Sequence, residues 1–541
     1  MKRICSFVLI TSIMMSLLLV SFGVTYEVGQ TFEDDGFTFV VNQDYTLRVK
    51  HCRNIVAIIP ESVNGMTVTE IDKFGCANFN LEKVTIPRTI KKIGESAFSY
   101  TKLTEIFLPN TIETIAKNAL SNCFSLADIV IESGGDIHFD DWSVSYGADT
   151  LKDEKGNFYG DEKFFVYKNK LLSYRGFIRD KENPEYVEYV PGHKAKLRYY
   201  DEIIDIPGII GGQKIDEIAK GAFSVVTMAK KITISNDIKI VNDCAFENCL
   251  SLTDIVLPMN IDYMGFALFF QCKLLKNVKL PENIKTIPRH TFSLCASLEH
   301  IDLPDGVTTI EQSAFEGCSS LASIELPDTV TRIEDTAFMS CSVLSDVVIP
   351  SNIEYLGDNV FVNCPKLTTV IDENGNVWGD SEFLVVKGKL ISHLGENLDV
   401  IIPNEVNGVN VTEINTGAFA YKEINSIKIH SGVSNIGAGT FISNSKLKSV
   451  ELPEGLLSIS DGLFSLCKSL DNVIIPSSVT SIGKLSFAGC NNLKKITIPP
   501  SVNIISNDTF KSSPNVVIHT TKDSYADTFA VKNKIPVKYV N

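Results

Sequence analysis

The strongest order in the chain is a recurring set of apolar positions. Six phenylalanines, Phe246, Phe269, Phe292, Phe315, Phe338 and Phe361, stand 23 residues apart. Each is followed three residues later by a cysteine: Cys249, Cys272, Cys295, Cys318, Cys341 and Cys364. Pro258, Pro281, Pro304, Pro327 and Pro350 keep the same step. One unit reads Leu321-Ala-Ser-Ile324-Glu-Leu326-Pro327, then Val330, Ile333, Ala337, Phe338 and Cys341. The alternation at Ile324 and Leu326 predicts a short strand with one buried side. Proline has no N–H to give a ladder, so Pro327 marks the strand's end. Val330 and Ile333 suit a second extended segment, and the Ala-Phe pair fills the core from the opposite wall. A fixed period of this length predicts a solenoid, in which each unit buries its apolar side only by stacking on its neighbours. Parallel stacking at ~4.8 Å puts equivalent side chains into columns.

Apolar positions 1, 4 and 6 of the unit are those of a leucine-rich repeat strand. Proline at position 7, the next apolar residue at position 10 and the late cysteine depart from the common form. That pattern resembles the BspA-like leucine-rich repeats of bacterial and some protozoan surface proteins. The resemblance implies a repeat solenoid of the horseshoe-like α/β class, made mostly of short parallel β-strands and turns. It also implies a non-enzymatic secreted or cell-surface protein that works by adhesion, binding a host or matrix protein or another cell surface, with no cofactor.

Read in order, the chain divides as follows. Residues 1–23 carry a leader: Lys2 and Arg3 precede an apolar run from Phe7 to Val20, and Ser21 and Gly23 suit the small positions before a cut. That run is shorter than the ~20 residues a membrane span needs, so no span is expected in the mature chain. Residues 24–131 hold N-terminal strands, beginning with an alternating stretch from Gly36 to Arg48, and a first ladder anchored on Phe74, Phe98 and Leu120. The beat stops over 132–200, resumes over 201–371, stops again over 372–400 and resumes over 401–518. The two interruptions match. Gly156-Asn-Phe-Tyr-Gly-Asp161 answers Gly375-Asn-Val-Trp-Gly-Asp380, and Phe164–Ser173 answers Phe383–Ser392. Both predict inserted β-hairpins turning at Lys-Asn or Lys-Gly. Residues 519–541 read as a short helix and a last strand, similar to the C-terminal cap of the same repeat family; an open solenoid end needs such a cover.

Composition narrows the function. Formal net charge is −15, and loss of Lys2 and Arg3 makes it more negative still. Such a chain repels phosphate backbones and anionic headgroups, which excludes nucleic acid as a partner. The 13 cysteines raise three readings: disulfides, a metal site, or a column of buried thiols. No Cys-x-x-Cys occurs, and Asn444, Ser513 and Val226 replace cysteine on the ladder. Equivalent Cβ atoms near ~4.8 Å lie beyond the ~3.5–4.5 Å of a disulfide. The buried-thiol column is therefore expected, with Thr101 standing where another cysteine would.

No nucleophile elbow, zinc helix or phosphate loop is present. Asp372, Asn374 and Asn376 mimic the opening of a calcium loop, but Val377 and Phe383 stand where glycine and glutamate belong, so a hairpin turn is expected. No catalytic, cofactor-binding or metal-binding residue is assigned. Outward positions 2, 3 and 5 of each unit carry the binding surface, and Asp254, Asn277, Lys279, His300, Asp302, Glu325 and Asp346 are its candidate ligand residues. His290, like His300, is expected at the solvated surface. The face is polar and poor in aromatics; Trp142, Tyr146, Tyr159 and Trp378 fall in the interruptions and are expected to pack the hairpins. The alternative is an enzyme or glycan-binding module housed in 132–200.

Overall fold

The structure is a computed structural model and describes residues 26–140, 148–176, 182–183, 185–190, 193–196, 199–224 and 226–540. The expected leader at residues 1–23, Trp142 and Tyr146 lie outside the described residues. Among the described residues no helix is long and apolar enough to cross a membrane. The chain forms two compact units, Met1–Cys249 with Ile261–Gly265, and Leu250–Asn260 with Phe266–Asn541.

The first unit opens on three antiparallel strands, β1 (Thr31–Asp34), β2 (Phe37–Val41) and β3 (Leu47–Cys52). This is a larger cover than the alternation from Gly36 to Arg48 suggests. β3 then pairs in parallel with Met66–Ile71, and the ladder continues through Lys92–Ile93, Thr114–Ile115 and His138–Phe139. A second column stacks Glu105–Leu108, Asp128–Ile131 and Thr150–Asp153. Each rung thus supplies two short strands joined by the proline turn: Ile90 and Ile112 N–H donate to the Pro87 and Pro109 carbonyls, both at 3.1 Å.

Phe74, expected in the core, is instead 49% exposed with φ +56°, and Cys76 is buried in its place. The reason is register. Cys76 precedes Leu81 by the interval that separates Phe98 from Leu103, so Phe74 falls on the left-handed turn position that Ser96 holds in the next rung.

In the second unit the phenylalanines form a stack. Ring centroids lie 5.2 Å apart for Phe292–Phe315 and 5.3 Å for Phe315–Phe338, with interplanar angles of 13° and 4°. The convex wall is hydrogen-bonded rung to rung as well, with Phe292 N–H on the Ala314 carbonyl and Phe315 N–H on that of Ala337, both at 2.8 Å. Leu321, Ile324, Leu326, Val330, Ile333, Ala337, Phe338 and Cys341 are all buried, as the unit predicts.

Both interruptions are hairpins. Phe164–Tyr167 pairs with Lys170–Tyr174 in the first unit, and Phe383–Val386 with Lys389–His393 in the second. Gly160 and Gly379 make them possible: φ is +102° and +88°, and a Cβ would lie 2.1 Å from the Phe164 carbonyl oxygen and 1.9 Å from that of Phe383. Each hairpin carries the aromatic column onward within its own unit. Tyr174 stacks on Phe223 at 5.5 Å, and His393 on Phe419 at 5.3 Å. In the second unit the turn wall steps over the interruption. Asn415 Nδ2 donates to the Gly357 carbonyl at 3.0 Å and Thr416 Oγ1 to Asp358 at 3.1 Å, each across 58 residues. The chain closes with the helix Tyr525–Lys532, capped by Ser524, and Val537–Tyr539 in parallel on Ile518–Thr520. This is the helix and last strand that the sequence predicts.

Candidate interaction face

The seven candidate residues all belong to the second unit and to outward positions of its rungs. Asp254–Val256 pairs in parallel with Asn277–Lys279, and Ser323–Glu325 with Asp346–Val348. Because side chains alternate along a strand, burial of Ile255, Ile324 and Val347 turns their neighbours outward. Asn277, Lys279, His300, Asp302, Glu325 and Asp346 are exposed and Asp254 is half-buried. Asn277 Nδ2 donates to Asp254 Oδ1 at 2.7 Å, and His300 Nε2 meets Asp302 Oδ1 at 2.8 Å. Beside them Lys276 faces Glu299 at 3.4 Å. The rung of His300 and Asp302 forms no regular strand, whereas those on either side do. His290 is half-buried with Nδ1 unpartnered, and its ring lies edge-on to Phe270, so the solvated position expected of it is only half right.

The same outward positions continue in later rungs. Lys428 pairs with Glu451 at 2.8 Å and Lys494 with Asp471 at 3.2 Å. Ile401 and Ile474 stand among them 68% and 61% exposed. Sequence reasoning missed these two, although an isoleucine at outward position 5 was itself the signal. On this face lysines and carboxylates pair across rungs, with these apolar side chains exposed between them.

Twelve cysteines lie among the described residues, and all are buried. In Cys295, Cys318, Cys341, Cys364, Cys467 and Cys490 the thiol donates to the carbonyl of the preceding rung's phenylalanine at 3.1–3.2 Å. Cys249 makes the same bond to Phe223 at 3.2 Å. Asn444 Nδ2 and Ser513 Oγ, which replace cysteine, donate to the Phe419 and Phe487 carbonyls at 2.7 Å and 2.6 Å. Val226, buried at the same position, carries no donor, so the position takes a small buried side chain that donates in most rungs rather than sulfur as such. Burial pushes the Cys295, Cys318, Cys341 and Cys467 thiols up, Cys364 to about 11 and Cys490 to about 12, and leaves these six inert as nucleophiles. Thr101 is buried with its hydroxyl on Cys123 Sγ, as its place in the ladder predicts.

The interruptions give little chemistry. Asp372 accepts from Asn374 N–H, Asn376 N–H and Asn376 Nδ2 at 2.8–2.9 Å, which is the expected hairpin turn; these bonds, that from Asn376 Nδ2 foremost, hold its carboxyl below the usual range. Asp153 does the same with Lys155 and Asn157. Among the described residues no three His, Cys, Asp or Glu side chains converge as metal ligands. Tyr159 packs against the first unit's core, and Trp378 Nε1 donates to the Ile349 carbonyl at 3.0 Å, so these aromatics pack the hairpins. Each hairpin borders a cleft, of about 470 Å³ in the first unit and about 240 Å³ in the second. In the larger cleft Asp136 pairs with Lys168, Glu217 with Lys170 and Asp216 with Asn169. His393 is buried with Nε2 on Glu382 at 2.9 Å; burial lowers its pKa against the opposing pull of that carboxylate.

A family profile described as the BspA type leucine rich repeat region (6 copies) matches residues 50–141, 199–322, 267–384 and 409–527. Among solved structures, the chain is similar to a leucine-rich cell surface protein of Faecalibacterium prausnitzii, at 21% identity and TM-score 0.37 over 94% of this chain and 98% of that one. It is similar to a leucine-rich repeat protein of Bacteroides ovatus at 20% identity and TM-score 0.30, covering 94% and 100%. The pneumococcal vaccine antigen PcpA aligns at 16% identity and TM-score 0.34, covering 95% and 100%. No curated protein matches the chain.

Proposed function

Since the chain belongs to the BspA-type leucine-rich repeat family, we propose that it is a non-enzymatic secreted or surface protein that adheres to a protein partner through its outward strand positions. The observation that carries the reading is the regular display of exposed side chains on paired parallel strands in the second unit. Asp254, Asn277, Lys279, His300, Asp302, Glu325 and Asp346 are its proposed ligand residues, with Ile401 and Ile474 as apolar anchors. The ladders 24–131, 201–371 and 401–518 are taken as successive displays, and the leader as the export signal. A matrix protein or another cell's surface protein is the proposed partner class.

The test is binding of purified mature protein to immobilised extracellular matrix proteins and to whole cells, beside a triple variant Lys279→Glu, Asp302→Lys, Glu325→Lys. Native binding reduced at least tenfold in the variant, with an unchanged circular dichroism spectrum, supports the face. Binding untouched by the variant refutes the assignment of these residues, and sugar-inhibitable binding that maps to 132–200 replaces it with the glycan reading.

A further inference from the structure

The first and last strands of the chain each have a partner on one side only. β1 pairs antiparallel with β2, and Val537–Tyr539 pairs in parallel with Ile518–Thr520; among the described residues neither has a strand on its other side. Alternate N–H and C=O groups of a strand point to opposite sides, so each edge leaves a row of unpaired backbone groups. In the last strand these belong to Val537 and Tyr539. Ile518 N–H donates to the Pro536 carbonyl at 2.9 Å and Val540 N–H to the Thr520 carbonyl at 3.1 Å, so the even-numbered residues face the ladder. A repeat array that ends alone needs a polar outer face. Here Val531, in the helix before the last strand, is 70% exposed, and Tyr539 is 58% exposed; Val28, just before β1, is 49% exposed.

The two edges carry opposite charge. From Thr528 to Val540 there is no Asp or Glu, and Lys532, Lys534 and Lys538 are exposed. Asp527, the carboxylate before them, is buried and accepts from Asp523 N–H at 2.9 Å. From Val24 to Leu47 there is no Lys or Arg, and Glu27, Glu33, Asp34 and Asp35 are exposed. Arg53 reaches Glu33 at 3.5 Å, both side chains being more than half exposed; Asp34 and Asp35 make no ion pair among the described residues. In a chain of net charge −15, a lysine-only end is a local reversal of sign.

We propose that copies of this chain associate head to tail, the last strand of one copy adding to β1 of the next as a further strand of its sheet. Setting Lys538 opposite Glu33 makes a lysine–carboxylate cross-strand pair and brings Val537 or Tyr539 opposite the half-buried Phe32. The open backbone groups give the contact its hydrogen bonds, as in other strand additions. Charge gives it direction: two acidic edges repel, and so do two lysine edges, so same-end pairing is disfavoured. Such a heterologous contact leaves one edge of each kind free unless a ring closes, so growth continues past the dimer. The strands have only 4 and 3 residues, so the contact is small and the association reversible.

Sedimentation of the mature chain, residues 24–541, over a wide range of concentration is the test. Average mass should rise with concentration past that of a dimer. Association should weaken at least tenfold in about 1 M salt, where the Debye length is about 3 Å. The triple variant Lys532→Glu, Lys534→Glu, Lys538→Glu has two acidic ends, and Glu27→Lys, Asp34→Lys, Asp35→Lys has two basic ones. Each alone should stay monomeric where the parent associates. An equimolar mixture should associate again, with the two variants alternating, and that recovery also shows that both are folded. A parent that is monomeric throughout, association that persists in either variant alone, or a mixture of folded variants that stays monomeric each overturns the proposal.

Discussion

Removing one ring from the stack tests whether the rungs share one core. Phe315 is fully buried between Phe292 and Phe338, parallel to both, and accepts the Cys341 thiol through its carbonyl. Truncating a buried phenylalanine costs roughly 3–5 kcal/mol, because the lost transfer energy is joined by a cavity term. Two stacked partners, each contributing roughly 0.5–1.5 kcal/mol beyond area, place Phe315→Ala in the upper part of that range, about 4–5 kcal/mol. The loss falls on two interfaces, so rungs on both sides should open together. Since a long array does not melt as one two-state unit, hydrogen exchange is the assay. Amides of Asn277–Lys279, Ser323–Glu325 and Asp346–Val348 should exchange up to about a thousandfold faster, at about 1.4 kcal/mol per tenfold. Val343→Ala, at a 41% exposed position, should change them by less than about a factor of three. Faster exchange confined to the Phe315 rung, or none, would refute a continuous core.

Thiol labelling of folded protein under reducing conditions should leave Cys249, Cys272, Cys295, Cys318, Cys341 and Cys364 unmodified until denaturant is added. Cys318→Ser should stay within about 1 kcal/mol of the parent in a denaturant melt, because Ser513 already makes the equivalent bond. His393 gives a pH dependence of known sign. Its folded pKa lies below 6.5, so below pH 6.5 the unfolded chain takes up the proton first. Stability of the second unit should therefore fall as pH drops from 6.5 toward the folded value. That component of the slope should vanish in His393→Phe, as urea midpoints at several pH values would show.

The strand face and the thiol column were legible in the sequence because each depends on a local period. A residue's place in a unit of 23 fixes whether it points inward, and the alternation around Ile324 and Leu326 sets the outward positions of Ser323 and Glu325. The replacements Asn444, Ser513 and Val226 already showed that cysteine pairing is not essential there. Tertiary structure decided what breaks the period. Tyr174 and His393 enter the ring column because each hairpin delivers its last strand residue to that height, and nothing near either residue in sequence carries the beat. Asn415 finds Gly357 only because the interruption has the length that brings the turn wall back into register across 58 residues. Cys76 replaces Phe74 in the core because the register of the first rung is set by the strands that cover it. Period determines the side a residue faces; the contacts between elements far apart in sequence are fixed by how much chain is looped out between them.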